Sequence, residues 1–279
     1  SRGYNLIQGN NLTVTQVHPK TEVVRESHNV GEAMEDLRRL AEERLGKTDL
    51  DSGLDYGTIA ISKYRKFDGT NSWLVTIPGT DGKHDSPFGW PQNVELMSSD
   101  SKQRMEADSA RMVQEAMKQA GIKSNEPVAL IGHSQGGIVA ATIASDLKDD
   151  YDIEHVVTAG SPVANHPIPE KTWVTSVEMD DELVAALDGA ANPSSDHWLT
   201  VRGTASKSSS NQESTFAGTP VTDAPDNKEI THWLKYHQSA YQNATDMGST
   251  AVNTHERHFD EIIDGDLQEV MYFEGRMSK

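Results

Sequence analysis

The stretch that decides the fold is PVALIGHSQGG, residues 127–137. Its first five residues form a short apolar run, which predicts a buried β-strand. An apolar helical pattern follows at residues 138–147. Between the two, glycines on both sides of Ser134 allow the chain to turn sharply. We therefore predict a strand, a tight turn and a helix, with the serine hydroxyl standing clear of the sheet at the turn.

Strand and helix patterns alternate on both sides of this motif. Asp226 and Glu229 form a capping box for a further helix that runs through Trp233 and Tyr241. Such alternation favours the α/β fold class, with a mostly parallel central sheet flanked by helices. Helical periodicity predicts helices at residues 30–45 and 99–120. Apolar runs predict strands at residues 12–17, 56–64, 72–78, 155–159 and 173–177.

Length and charge narrow the functional classes. The chain has 279 residues, and 25 Lys and Arg against 43 Asp and Glu give it a formal net charge of -18. Because this charge repels phosphates, we expect no nucleic acid partner. No stretch approaches the ~20 apolar residues that a spanning helix needs, so we expect no integral membrane segment. We predict one α/β domain over residues 1–279, and the oligomeric state stays open.

The absence of cysteine excludes every function that depends on a thiol. A chain with no cysteine has no thiolate nucleophile, no disulfide and no cysteine-based metal site. No histidine pair has the His-Glu-x-x-His spacing of a zinc hydrolase, and we interpret His255 and His258 as part of a solvated helix face. We expect no cofactor and no metal. Localisation stays open, although acidity and the lack of cysteine are compatible with bacterial export.

Ser134 is the predicted nucleophile. Gly132-x-Ser134-x-Gly136 matches the pattern of a nucleophile elbow, and the strand before it and the helix after it supply the required context. The helix N-terminus favours a developing oxyanion, and the backbone N–H of Gln135 is the expected donor. The alternative, a glycine-rich turn that binds phosphate, lacks the Gly-x-x-x-x-Gly-Lys pattern.

Three motifs in order resemble the class 3 lipase-like branch of the bacterial α/β-hydrolases, over about residues 55–245. They are IPGT at 77–80, WPQNV at 90–94 and IGHSQGG at 131–137. The resemblance implies the α/β-hydrolase fold, an ester substrate and a second oxyanion donor in the backbone N–H of Thr80. The place of Thr80 after a strand, facing the elbow, agrees with that role, and an ordinary turn threonine is the alternative.

The acid of a Ser-acid-His triad is expected in the loop after residue 179, at Asp180, Asp181 or Glu182. The resembled family has an acid followed by an apolar residue, Val, Pro and Leu. Counting from the strand selects Asp181, counting back from Leu187 selects Glu182, and the family's proline is missing. We favour Asp181, then Asp180, then Glu182; a solvated loop acid is the alternative for each.

The general base must be a histidine that follows the acid. We favour His237, because Tyr241 follows it shortly as in the resembled family, and place His232, with Tyr236 four residues later, second. His133 is expected to support the elbow and His84 to line the pocket mouth. The complete set of candidates is His197, His232, His237, His255 and His258.

Together these residues predict hydrolysis of a small-molecule or lipid ester through an acyl-enzyme. A thioesterase or acyltransferase would use the same triad, and a binding domain that has kept the fold without the chemistry is the alternative from another class. Residues 82–97 are interpreted as a lid or, equally, as a loop that Trp90 anchors in the core. Residues 203–223, rich in Ser, Thr, Asn and Gly, are predicted to form a mobile loop or insertion.

Overall fold

The computed structural model describes residues 11–44, 50–55, 57–79, 99–179, 192–193, 195–203, 205–207, 214–216, 219–221 and 234–278. Its helices are α1 (Val30–Arg44), α2 (Ser99–Ala120), α3 (Gln135–Asp146), α4 (Leu234–Asp246) and α5 (Thr250–Ile262). Its strands are β1 (Asn11–Val17), β2 (Thr58–Arg65), β3 (Asn71–Ile77), β4 (Pro127–His133), β5 (Asp152–Ala159), β6 (Trp173–Met179), β7 (Trp198–Gly203), β8 (Ala205–Lys207), β9 (Ser214–Phe216), β10 (Thr219–Val221) and β11 (Asp266–Ser278).

Within these residues one large sheet has the strand order β1-β11-β2-β3-β4-β5-β6-β7. Neighbouring strands run parallel from β3 through β7, and antiparallel from β1 through β11 and β2 to β3. The predicted α/β class, with a mostly parallel sheet flanked by helices, is confirmed. The right-handed crossovers of parallel strands place the helices on both faces.

Side chains of β4 show how the two faces are covered. Val128 and Leu130 pack with α2 and α3 on one face, and Ala129 and Ile131 pack with α1, α4 and α5 on the other. Because both faces are covered, the strand is apolar from Pro127 to Ile131, as a central parallel strand requires. Helix α3 packs on β3, β4 and β5 and also against α2, and most of its residues are buried, which explains why its sequence is apolar on almost every side.

The parallel strands end at one level. Ile77 of β3 pairs with Gly132 of β4, His133 with Ala159 of β5, and Ala159 with Val177 of β6. We call this level the carboxyl edge of the sheet and the opposite one, where β5, β6 and β7 begin, the amino edge. Sites in open α/β sheets lie at the carboxyl edge, and the loop after β3, the turn after β4 and the segment after β6 all start there.

The structure adds elements that sequence patterns do not reveal. Strand β11 carries four charged residues and has no clean alternation, but it pairs between β1 and β2 and completes the sheet. Where a mobile loop or insertion is predicted, at residues 203–223, the described residues form a small antiparallel sheet of β8, β9 and β10. The predicted lid at residues 82–97 lies outside the described residues.

Candidate active site

The backbone of Ser134 has a conformation that non-glycine residues rarely adopt. Its φ is 57° and its ψ is -122°, and among the described non-glycine residues only Asp51 also has a positive φ. Such a conformation costs about 1–3 kcal/mol and persists only where neighbours hold it. The Ser134 N–H donates to the Ala159 carbonyl at 2.8 Å, and Ser161 Oγ donates to the Ser134 carbonyl at 2.8 Å. Strand β5 and its following turn therefore hold the elbow in place.

The glycines around Ser134 are required by close backbone contacts. A β-carbon on Gly132 would lie 2.2 Å from the carbonyl oxygen of Gly136, and one on Gly136 would lie 2.1 Å from the carbonyl oxygen of Ile77. A β-carbon on Gly137 would lie 1.9 Å from Ser161 Oγ. Only glycine lets the start of α3 approach β3 and β4 so closely. The strand, tight turn and helix predicted from the sequence are confirmed.

Ser134 lies at the N-terminus of α3, where the first N–H groups have no acceptor within the helix. Gln135 begins this helix, and its side chain donates to Ser109 Oγ of α2 at 3.2 Å. That bond anchors the side chain away from the elbow, while the backbone N–H belongs to the first turn. The positive end of the helix dipole favours negative charge at this position. Gln135 is the first residue of this helix and directly follows Ser134, and its role as oxyanion donor stays a prediction.

The loop after β3 touches the elbow directly. A β-carbon on Gly79 would lie 2.7 Å from the carbonyl oxygen of His133 and 3.1 Å from Cβ of Ser134. The residue that precedes Thr80 in the chain is therefore packed against the nucleophile candidate. Thr80 itself lies outside the described residues, and so does His84.

His237 lies beside the elbow. It is fully buried on α4, and its ring centroid lies 5.7 Å from that of His133, with the rings at 63°. His133 directly precedes Ser134, so the first-choice base lies next to a neighbour of the nucleophile candidate at the carboxyl edge. The contact also agrees with the expected supporting role of His133. His232, the second choice, lies outside the described residues.

The other three histidine candidates lie at the amino edge. Trp173, the first residue of β6, stacks on His197 and His258 and meets His255 edge-on. Trp173 pairs with His155, four residues before Ala159, and the Ala159 carbonyl binds Ser134. Four residues of strand span roughly 13 Å. These three histidines are therefore out of reach of the Ser134 hydroxyl, which removes them as candidates for the base.

At the amino edge, three of the histidines form a directional chain of hydrogen bonds. Because the Asp196 carbonyl only accepts, His255 Nε2 donates to it at 3.0 Å. In neutral His255 the other ring nitrogen, Nδ1, then accepts from the Thr175 hydroxyl at 3.1 Å. Thr175 Oγ1 in turn accepts from His155 Nε2 at 2.8 Å, and His155 Nδ1 accepts from His258 Nδ1 at 3.0 Å. With His155 and His255 neutral, this one set of proton positions satisfies every link.

Burial keeps these rings neutral. It lowers the pKa of His155 well below its ordinary value, with smaller contributions from His258 and His255, and lowers the pKa of His258 to about 4. Burial also lowers the pKa of His255, which is only 3% exposed. The interpretation of His255 and His258 as a solvated helix face is therefore wrong for His255. The predicted helix is α5, but this part of it packs on the sheet. Burial is possible there because the histidine rings form hydrogen bonds with one another and with Thr175.

Acidification should weaken this packing. A histidine whose pKa is lower in the folded than in the unfolded state contributes stability that is complete above about pH 6.5 and is lost as the pH falls toward the folded value. Each such histidine contributes a slope of up to about 1.4 kcal/mol per pH unit. His258→Phe keeps a ring on Trp173 but binds no proton. We expect the variant to lose less unfolding free energy than the wild type between pH 6.5 and 4.5, in urea titrations.

The comparison with the variant is necessary because a pair of carboxyl groups, Asp260 and Glu256, has the opposite effect on the unfolding free energy as the pH falls. Burial, together with the neighbouring Glu256, raises the pKa of Asp260 to about 7, so this pair favours the folded state as the pH falls. Equal losses in wild type and His258→Phe would contradict the neutral histidine chain.

Among the described residues, no group of three or more His, Asp or Glu side chains has an arrangement that could hold a metal ion. In the same part of the chain, no helix is both long enough and apolar enough to cross a membrane.

The three acid candidates, Asp180, Asp181 and Glu182, lie outside the described residues. The strand before them ends at Met179, which pairs with Gly203 of β7 at the carboxyl edge. The acid segment therefore leaves the sheet on the same edge as Ser134. The conformation after that point is not part of the described structure.

Comparisons with known proteins bear on the fold. Residues 93–215, less than half of the chain, match the family described as the PGAP1-like alpha/beta domain. The match includes Ser134 and the acid segment but neither Thr80 nor His237. No curated protein matches the chain significantly.

One solved structure, described as "a serine protease triad forms the catalytic centre of a triacylglycerol lipase", aligns with 63% of this chain and 77% of its own. The sequence identity is 16% and the TM-score is 0.26, a likeness too low to support an argument about function. The strand order, the turn at Ser134 and the family match together show that the chain has an α/β-hydrolase fold.

Proposed function

We propose that this protein is a serine hydrolase of carboxylic esters, from the class 3 lipase-like branch of the α/β-hydrolases. Ser134 is the nucleophile, His237 the general base and Asp181 the first choice of acid. The observation that carries the proposal is the backbone of Ser134, with φ 57° and ψ -122° at the start of an apolar helix. Strain of this kind at a strand-to-helix turn serves to present a nucleophile.

The reaction follows from the roles of these groups. His237 accepts the proton of the Ser134 hydroxyl as Oγ attacks the ester carbonyl, and the carbonyl oxygen becomes an oxyanion. The backbone N–H groups of Gln135 and Thr80 stabilise that oxyanion. His237 then gives the proton to the leaving alkoxide, which departs as an alcohol. Water, deprotonated by His237, then attacks the acyl-enzyme. As the carboxylic acid product leaves, His237 returns the proton to Ser134 Oγ, which restores the free enzyme.

Two features support chemistry rather than simple retention of the fold. Three hydrogen-bonded or close-packed groups hold the elbow: the Ala159 carbonyl, Ser161 Oγ and the backbone of Gly79. A binding domain without catalytic activity gains nothing from maintaining a strained serine. Among the described residues, His237 is the one buried histidine at the carboxyl edge, and its ring lies against that of His133, which directly precedes Ser134.

The base is tested by comparing two substitutions. His237→Asn removes the proton acceptor while keeping a side chain of similar width, and we expect it to lower kcat for a fluorogenic ester by about 10³-fold or more. His232→Asn is the matched control, and we expect it to retain turnover close to that of the wild type. Initial rates over a series of acyl chain lengths, with circular dichroism to check folding, give the measurement.

The outcomes separate the alternatives. Loss of turnover in His232→Asn with retention in His237→Asn would transfer the role of base to His232. Full turnover in both variants would contradict a serine hydrolase that uses either histidine. Including thioesters and an acceptor alcohol in the same assays distinguishes an esterase from a thioesterase or an acyltransferase.

A further inference from the structure

The hydroxyl of Ser161 binds the carbonyl group of the nucleophile candidate. Its Oγ donates to the Ser134 carbonyl oxygen at 2.8 Å, and the Ala159 carbonyl oxygen lies farther from it, at 3.2 Å. A hydroxyl has one hydrogen to donate, so the shorter contact is its principal bond. Because Ser161 is fully buried, bulk water does not weaken this bond.

The local sequence fixes the place of Ser161. Gly160 before it has a φ of 64°, which turns the chain at the end of β5, and its N–H donates to the Val177 carbonyl of β6 at 3.0 Å. Pro162 after it restricts the backbone of Ser161 to extended conformations. The turn at the glycine and the restriction by the proline together hold the hydroxyl against the elbow.

The end of β5 and its turn hold Ser134 on both sides. The Ser134 N–H donates to the Ala159 carbonyl at 2.8 Å, and the Ser134 carbonyl accepts from Ser161. A β-carbon on Gly137 would lie 1.9 Å from Ser161 Oγ, so glycine at this position leaves the space that the hydroxyl occupies. The first turn of α3 therefore packs directly on the Ser161 hydroxyl.

The bond from Ser161 acts on the amide group that joins Ser134 to Gln135. A trans peptide group is planar, so its C=O and its N–H point in opposite directions. A donor that fixes the Ser134 carbonyl therefore also fixes the direction of the Gln135 N–H, the oxyanion donor of the proposed function. The buried side chain of Gln135 holds the same residue from α2, since it donates to Ser109 Oγ at 3.2 Å.

Two N–H groups of α3 bind the same carbonyl oxygen. They belong to Gly137, at 3.0 Å, and to Ile138, at 3.3 Å. Hydrogen bonds within a helix let the first turn move together with the rest of the helix. The shorter bond from Ser161 comes from outside the helix, and it connects the amide of Ser134 and Gln135 to the end of β5.

The same bond makes the Gln135 N–H a stronger donor. A hydrogen bond to a carbonyl oxygen draws electron density away from the amide nitrogen, and bonds linked in this way strengthen one another by about 10–30% each. The gain is largest when the acceptor carries a developing negative charge, as the oxyanion does in the transition state. The Ser161 hydroxyl therefore stabilises the transition state more than the bound neutral ester.

We propose that Ser161 is a positioning residue of the oxyanion hole, whose hydroxyl directs and polarises the Gln135 N–H through the Ser134 carbonyl. This inference rests on the proposed serine hydrolase function. In this role Ser161 acts through the amide group rather than on the ester. An interaction that strengthens only in the transition state raises kcat and leaves KM unchanged.

The first test is the kinetic effect of Ser161→Ala, which removes the hydroxyl and leaves the nucleophile. We expect kcat for a fluorogenic ester to fall by about 5- to 30-fold, less than the loss of a direct oxyanion donor, and KM to change by less than about twofold. The acidic limb of the kcat/KM profile should stay at the same pH, because the charges around His237 are unchanged. Rates are expressed per active site titrated with a fluorophosphonate, so that unfolded protein does not lower the measured kcat.

Ser145→Ala is the matched control. Ser145 is also buried, and its Oγ also donates to a backbone carbonyl of α3, that of Ala141 at 2.8 Å. Removing this hydroxyl perturbs the same helix at the end that is remote from Ser134, so kcat should stay close to that of the wild type. Equal losses of kcat in the two variants would indicate a general defect of α3 and would overturn the role of Ser161.

Inhibition by a trifluoromethyl ketone gives a measurement that a general loss of structure does not reproduce. Ser134 Oγ adds to the carbonyl carbon of this ketone, His237 takes the proton, and the ketone oxygen becomes an oxyanion that resembles the transition state. We expect Ser161→Ala to weaken this inhibition by about the same factor as kcat/KM. Inhibition by the corresponding methyl ketone, a mimic of the bound ester, should change by less than about twofold.

The outcomes distinguish this inference from the proposed function. Ester turnover by the wild type together with unchanged kcat in Ser161→Ala would overturn the role of Ser161 alone. Equal weakening of inhibition by the two ketones would also overturn it, because the hydroxyl would then act on ground-state binding. Absence of turnover in the folded wild type would overturn the proposed function and, with it, the role of Ser161.

Discussion

Replacing Ser134 by alanine is expected to reduce ester turnover by about 10⁴-fold or more, with the fold unchanged. The substitution removes the atom that forms the acyl-enzyme. The backbone at this position already has a φ of 57°, so alanine would occupy the same conformation with a β-carbon and no new clash. We therefore expect the melting temperature to change by only a few degrees.

The measurement is the initial rate of hydrolysis of a short-chain and a long-chain fluorogenic ester, with the purified wild type and variant at equal concentration. Ser161→Ala is a useful companion, because it removes the hydroxyl that binds the Ser134 carbonyl but leaves the nucleophile. It should lower the rate far less than Ser134→Ala. Turnover by Ser134→Ala at the rate of the wild type would refute the assignment of the nucleophile.

Introducing a side chain at Gly136 should have the largest effect on stability. The β-carbon of Gly136→Ala would lie 2.1 Å from the Ile77 carbonyl oxygen and 2.7 Å from that of Pro78. Both are backbone atoms at the end of a central strand, which cannot move without breaking the sheet. We expect a loss of at least about 3 kcal/mol of unfolding free energy, or failure to fold, in urea denaturation followed by circular dichroism.

Gly31→Ala is the matched control for this substitution. Gly31 lies in the first turn of α1, and a β-carbon there would meet nothing closer than Asn29 Oδ1 at 3.4 Å. Alanine is the better helix former, so this variant should be as stable as the wild type or up to about 1 kcal/mol more stable. A Gly136→Ala protein of wild-type stability would show that the turn is not as close-packed as described.

The elbow could be predicted from sequence because its determinants are local. A buried strand, a serine between glycines and an apolar helix lie within about twenty residues, and a nucleophile elbow requires these three parts in immediate succession. The structure adds what the sequence lacks, namely the partners of Ser134. Ser161 and Ala159 hold the elbow from a neighbouring strand, and nothing in the spacing of Ser134 and Ser161 indicates that contact.

The base could not be chosen from sequence, because five histidines follow the acid and a triad is defined by tertiary geometry. Strand register excludes three of the five candidate histidines. His155 pairs with Trp173 at the start of β6, and this places His197, His255 and His258 at the amino edge. Only tertiary packing brings α4, and with it His237, against His133.

Because sequence does not show tertiary packing, the interpretation of the α5 face that carries His255 and His258 as solvated is also wrong for His255. A polar pattern such as His255-Glu256-Arg257-His258 normally indicates exposure. Here the histidines share hydrogen bonds with one another and with Thr175 of β6, so both ring nitrogens of His155 and of His255 are paired although the rings are buried. Hydropathy alone cannot reveal a chain of hydrogen bonds whose residues come from three elements, β5, β6 and α5. The roles of Thr80 and of the three acid candidates stay predictions.

The central claim, that Ser134 is an activated nucleophile, is tested most directly by labelling with a fluorophosphonate probe, which reacts quickly only with such a serine. Native and heat-denatured protein, and native Ser134→Ala, are treated in parallel, and the modified peptide is mapped by mass spectrometry. We predict rapid labelling of the native wild type on Ser134 alone, and none of the other two samples. Labelling at another residue, or none in the native wild type, would contradict the proposed mechanism.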